Sequence, residues 1–181
     1  YSSVSSMGLF MLGFSLGTET GFAGGLFYVL ADTLMKATLF GVAGAAFYQC
    51  GASTVTDLVR LRENMPWVSS ALLISALSMV GIPPTAGFFG KWHLVVGALE
   101  AEKYFAVAAI LVSSMLTALY FFRMFQRMWA ETLPLVEPHV LETPFPIKMS
   151  LGVLTFGLIA LGLGSDLVMG LIFESAIPKG F

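Results

Sequence analysis

The chain has 181 residues, 57% of them hydrophobic and 11% charged, with a formal net charge of −2 and a mean hydropathy of +0.86. Soluble domains carry about 25% charged residues, so the composition excludes an ordinary globular enzyme and predicts an all-α, polytopic membrane helix bundle. No basic run or acidic tail is present, which excludes nucleic acid as a partner, and the single Cys50 cannot form an intrachain disulfide.

Tyr1 to Leu16 is already apolar and reads as a first membrane helix over 1–16. It lacks the charged start and small-residue cleavage site of a signal peptide, so the chain reads as a fragment or as one piece of a split subunit. Ser2, Ser3, Ser5 and Ser6 are tolerable there, because each hydroxyl can bond a carbonyl one turn back or reach a neighbouring helix.

The turn Gly17 to Gly21 leads into Phe22 to Tyr48, a run of 27 residues without proline. At about 1.5 Å per residue such a helix outspans the roughly 30 Å hydrocarbon core of a bilayer. Its only charges, Asp32 and Lys36, lie near its middle. A charge at that depth costs on the order of 3 kcal/mol and rarely sits there without a use or a partner. The i, i+4 spacing puts the two on one face, and Tyr28 extends the stripe by one turn. Two readings follow: an ion pair that locks the helix into a bundle, or a lysine whose proton moves while an aspartate sets its affinity.

Gln49 to Pro66 is polar and predicts an extramembrane connection with a short surface helix over Val55 to Asn64; Trp67 follows as an interfacial anchor. A third helix is expected over 68–81. It ends at Gly81-Ile82-Pro83-Pro84, where two prolines forbid a regular helix. A short fourth helix over 87–99 carries Lys91. Non-helical backbone at membrane depth survives only inside protein or beside a wet cavity, and transporters build ion sites at such breaks. The plainer alternative is an interhelical turn with Lys91 snorkelling to the interface.

After the polar turn Glu100 to Lys103, a long helix is expected over 104–129, with Arg123 and Arg127 near its end, placed to reach headgroups. Glu131 to Pro146 is a polar loop; its His139 has no second His or Cys to complete a metal site. A last helix is expected over 147–173, with Asp166 towards its end and Glu174 and Lys179 in the tail. Counted on alternate sides, Arg60, Arg62, Lys103 and Lys179 oppose Arg123, Arg127 and Lys148, and four against three does not orient the chain.

Four motifs in order, YSSVSSMG at the start, Asp32 and Lys36 followed by Leu39-Phe40, GIPPxxGFxGKW over Gly81 to Trp92, and LYFFRMF over Leu119 to Phe125, resemble a known family. It is that of the proton-translocating antiporter-like membrane subunits, found in respiratory NADH:quinone oxidoreductase (complex I), membrane-bound hydrogenases and Mrp-type Na+/H+ antiporters. The resemblance covers nearly the whole chain and matches the C-terminal part of such subunits. Many complex I relatives carry His where Asp32 stands, and the Asp32 to Lys36 spacing is closer to the D-type subunit of Mrp antiporters.

By that resemblance Lys36 matches a lysine of the central polar axis and Lys91 a Lys or Glu of the terminal broken helix. Asp32 is then the tuning partner, and Tyr28 and Arg123 are secondary candidates. The resemblance implies cation/proton translocation in a bacterial or archaeal cell membrane, as part of a multisubunit antiporter. A redox-driven proton pump is the alternative, and a purely structural membrane subunit the second alternative. Partners are other membrane subunits, the lipid bilayer, protons and Na+. With no nucleophile, metal cluster or phosphate-binding glycine loop in the sequence, no cofactor and no catalytic centre are expected in this chain.

Overall fold

The computed structural model describes residues 2–51, 65–130 and 144–175; the expected surface helix over Val55 to Asn64, His139 and the tail Lys179 lie outside them. The described residues form seven helices: α1 (Ser2–Ser15), α2 (Glu19–Cys50), α3 (Pro66–Val80), α4 (Ala86–Glu100), α5 (Tyr104–Ala130), α6 (Phe145–Leu163) and α7 (Ser165–Ser175). Three stretches, Glu19–Gln49, Tyr104–Trp129 and Phe145–Leu163, are each long and apolar enough to cross a membrane.

Helix α2 runs through the middle of the bundle, packed against α1, α3, α4, α6 and α7, and serves as its ruler. Thr18 starts it, its Oγ1 accepting from the Gly21 N–H at 3.2 Å, and Gly51 ends it in the left-handed conformation (φ 60°). At about 1.5 Å per residue its 32 residues extend about 48 Å.

Against this ruler α3 and α4 stack end to end. Met65, Val68 and Leu72 pack with Val42, Ala45 and Ala46 near the end of α2, and the Ser75 hydroxyl donates to the Met35 carbonyl at 3.0 Å. Beyond the break, Gly90 lies against Tyr28, Gly24 against His93 and Gly97 against Gly21. A Cβ on Gly97 would stand 2.5 Å from the Gly21 backbone, so the two helices touch main chain to main chain. Pro66 to Glu100 is therefore one broken crossing, interrupted level with the centre of α2.

Helices α6 and α7 repeat this arrangement. Leu151 packs near Gly41 and Gly157 near Leu34, while Met169 and Ile172 pack on Ala23 and Phe27. The single helix expected over 147–173 is thus two helices parted at Gly164 that together make one crossing. The fold is a helical membrane bundle: among the described residues α2, α5 and the two stacked pairs each make a crossing, with the shorter α1 packed beside them. The helices expected on either side of the prolines both exist, but they share a crossing.

Helix α5 lies antiparallel to α1: Ser2 meets Tyr120, Ser5 meets Ser113, and Lys103 donates to the Ser15 carbonyl at 2.9 Å. The last contact sets a cation on the free carbonyls at the end of α1, where the helix dipole favours it. The C-terminal ends of α2 and α5 and the N-terminal ends of α3 and α6 share one side of the bundle, ringed by exposed Tyr48, Trp67, Trp129 and Phe145. Aromatic side chains of that kind belong at a membrane interface.

Candidate functional site

Midway along α2, Lys36 donates to Asp32 Oδ2 in an ion pair one helical turn long. The pair is mostly buried, the Asp32 side chain 9% exposed and that of Lys36 20%. Asp32 Oδ1 is buried with no hydrogen-bond partner among the described residues. A buried carboxylate oxygen left bare is costly, so this atom calls for a water.

Lys91 sits on the second turn of α4, buried at 7% exposure. Its Nζ donates to the Met79 carbonyl at 2.7 Å and to the Val80 carbonyl at 3.1 Å. These are carbonyls at the end of α3 that the prolines deprive of helical donors. The Ile82 carbonyl is met by Thr85, through its N–H at 3.2 Å and its Oγ1 at 2.7 Å. Gly81, at φ 93°, turns the chain where a residue with a Cβ would be strained.

The N-terminus of α4 is bound back to α3 as well, the Gly87 N–H donating to Ser78 Oγ at 3.2 Å. A Cβ at Gly87 would lie 1.8 Å from the Ser78 carbonyl oxygen. Lys91 therefore occupies the negative end of one half-helix while it is carried by the other. The interface position left open by the sequence is not where it lies.

Tyr28 is one turn before Asp32 on α2, 3% exposed, and its ring lies against Gly90 beside Lys91. The sequence stripe Tyr28, Asp32, Lys36 is thus a largely buried polar line whose Tyr28 end shares a cavity wall with Lys91. Arg123 is not part of it: its side chain is exposed on α5. Sequence reasoning passed over Ser6, Ser78 and Tyr120, whose polar atoms matter only once α1, α3 and α5 are brought together. No group of three or more His, Cys, Asp or Glu that would hold a metal occurs among the described residues.

Three comparisons bear on this geometry. A family described as NADH:quinone oxidoreductase/Mrp antiporter, TM matches residues 1–117. NADH-quinone oxidoreductase subunit N of Desulforudis audaxviator is 37% identical over 98% of this chain and 38% of its own length. A Na(+)/H(+) antiporter subunit of Alkalihalophilus pseudofirmus is 32% identical over 72% of this chain and 27% of its own length. In the structure of the Mrp complex from Dietzia sp. DQ12-45-1b, a chain 25% identical superposes with a TM-score of 0.81, over 95% of this chain and 40% of that one. The chain thus spans about two fifths or less of each relative.

Proposed function

The chain belongs to the NADH:quinone oxidoreductase/Mrp antiporter transmembrane family, and from that premise we propose that it carries protons across a membrane as part of an antiporter-like subunit. One observation carries the proposal: a half-buried Lys36 is paired with a buried Asp32 on α2, a buried Tyr28 lies one turn earlier, and Lys91 is buried beside that tyrosine at the level where a crossing is broken. Lys36 and Lys91 are the proton carriers in this reading, and Asp32 tunes Lys36. A charge on one lysine disfavours a charge on the other along a shared low-dielectric path, so loading one helps to unload the other.

The complex that houses the chain is a Mrp-type cation/proton antiporter in the reading favoured by Asp32, which stands where many complex I relatives carry His. A proton-pumping membrane subunit of a redox-driven complex is the second reading, favoured by 37% identity to an NADH-quinone oxidoreductase subunit. In both, the partners are other membrane subunits and the bilayer. Proton movement in proteoliposomes holding the purified complex tests the function. Lys36→Ala is expected to abolish it while the complex still assembles, and a wild-type rate would remove the carrier role. Cation/proton exchange driven by an imposed gradient, with no electron donor, separates the antiporter from the redox pump.

A further inference from the structure

Asp166 is a charge that the lysine line leaves unexplained. It lies in the first turn of α7, just past the parting of α6 and α7 at Gly164. Asp32 and Lys36 hold each other, and Lys91 is held by the Met79 and Val80 carbonyls. Asp166 is exposed, and its carboxylate has no hydrogen bond or ion pair among the described residues.

Its depth follows from its neighbours. Gly162, one turn before it, faces the Pro84 carbonyl at the break of the other crossing. Met169 and Ile172, beyond it, pack with Ala23 and Phe27 of α2. Leu167 to Phe173, without one polar side chain, then separate it from Glu174 by about 10 Å at helical rise. Asp166 therefore stands at membrane depth. A lysine or arginine there could snorkel to the headgroups on its long stem, but aspartate has a single methylene and cannot. The dipole of α7 favours a carboxylate at this end, though by less than the cost of holding it in hydrocarbon.

The surrounding face points outward. Leu163, Leu167 and Leu171 are all exposed. Gly170 lies one turn after Asp166 on the same face, and a Cβ there would meet nothing within 4 Å. A small residue beside a polar one suits the docking of another membrane helix, because the gap lets backbones approach and the polar group bonds across.

We propose that this face of α7 is an interface with a neighbouring membrane subunit, whose docked helix presents a lysine, arginine or histidine to Asp166. Acyl chains offer a carboxylate no donor, so lipid does not fit this face. A basic side chain does, supplying both the opposite charge and the donor. The proposal takes from the proposed function only that the chain is housed with other membrane subunits, and it holds whichever residues carry protons.

The test uses the assembled complex with photoreactive benzoylphenylalanine in place of Leu167. A crosslink is expected to a membrane helix of another subunit that carries a basic residue. A crosslink only to lipid, only within the same polypeptide, or to a helix without a basic residue in its membrane span overturns the proposal. Asp166→Leu gives results of opposite sign in the two cases. Facing lipid, leucine is the better side chain, and intact complex is recovered in equal or higher yield after detergent extraction. Facing a cation, leucine strands it, and recovery is expected to fall several-fold while Asp166→Glu keeps it near wild type. Wild-type recovery with Asp166→Leu therefore overturns the pairing. If the Asp166→Leu chain itself does not fold, the crosslink decides alone. Purification of the unsubstituted chain without any other membrane subunit would instead remove the housing on which the proposal rests.

Discussion

Asp32 concentrates the tension of the site, with one oxygen bound to Lys36 and the other buried and bare. Replacing it with Asn keeps the shape but removes the charge that faces the ammonium. The expected result is a shifted pH profile of transport in an assembled complex; an unchanged profile would mean that the two side chains do not act together. Tyr28→Phe removes a buried hydroxyl one turn from Asp32 while the ring still fills its place against Gly90. Transport is expected to slow several-fold with assembly intact, and a wild-type rate would show that protons bypass it. Asp32, Lys36 and Tyr28 were legible in the sequence because helical spacing alone puts them on one face. The depth of Lys91 was not, since an interfacial turn and a broken crossing share the same proline signature. Only the packing of α3 and α4 along α2 separates the two.

At the scale of elements, the two broken crossings lean on each other. Gly162 of α6 faces the break between α3 and α4, and a Cβ there would stand 2.2 Å from the Pro84 carbonyl oxygen. Neither backbone can give way easily, so Gly162→Ala is expected to destabilise the assembled complex by about 1–3 kcal/mol, the usual range for overpacking. Gly8→Ala, which meets nothing within 4 Å, is expected to stay within about 0.5 kcal/mol. Thermal denaturation of the purified complex compares the two, and equal stability would show that the breaks are not in tight contact. The break at Pro83-Pro84 was readable from residue type. That at Gly164 was not, because glycines also occur inside the continuous helix α6, at Gly152 and Gly157, and nothing local distinguishes Gly164 from them.

For the whole molecule, stacking the half-helices fixes which described charges share a side. Arg123, Arg127 and Lys148 lie towards the end ringed by Trp67 and Trp129, and Lys103 lies at the other, beside Glu19, Glu100 and Glu102. Three cations against one among the described residues, counted within a turn or two of the membrane ends, predict by the positive-inside rule that the first end faces the cytoplasm. In intact cells Glu102→Cys is expected to react with an impermeant thiol reagent and Lys148→Cys to be protected; the reverse pattern would invert the orientation. Sequence counting could not orient the chain, because it treated each side of the proline break as a separate crossing. Lys91 is the decisive residue at this scale: the proposed function makes it a charge that loads and unloads within the bundle rather than one that only holds a broken helix together. Proton transport by proteoliposomes containing the Lys91→Met complex tests this most directly, since Met keeps the length and loses the charge. The predicted result is that transport is lost while the other subunits still copurify, and transport at the wild-type rate would contradict it.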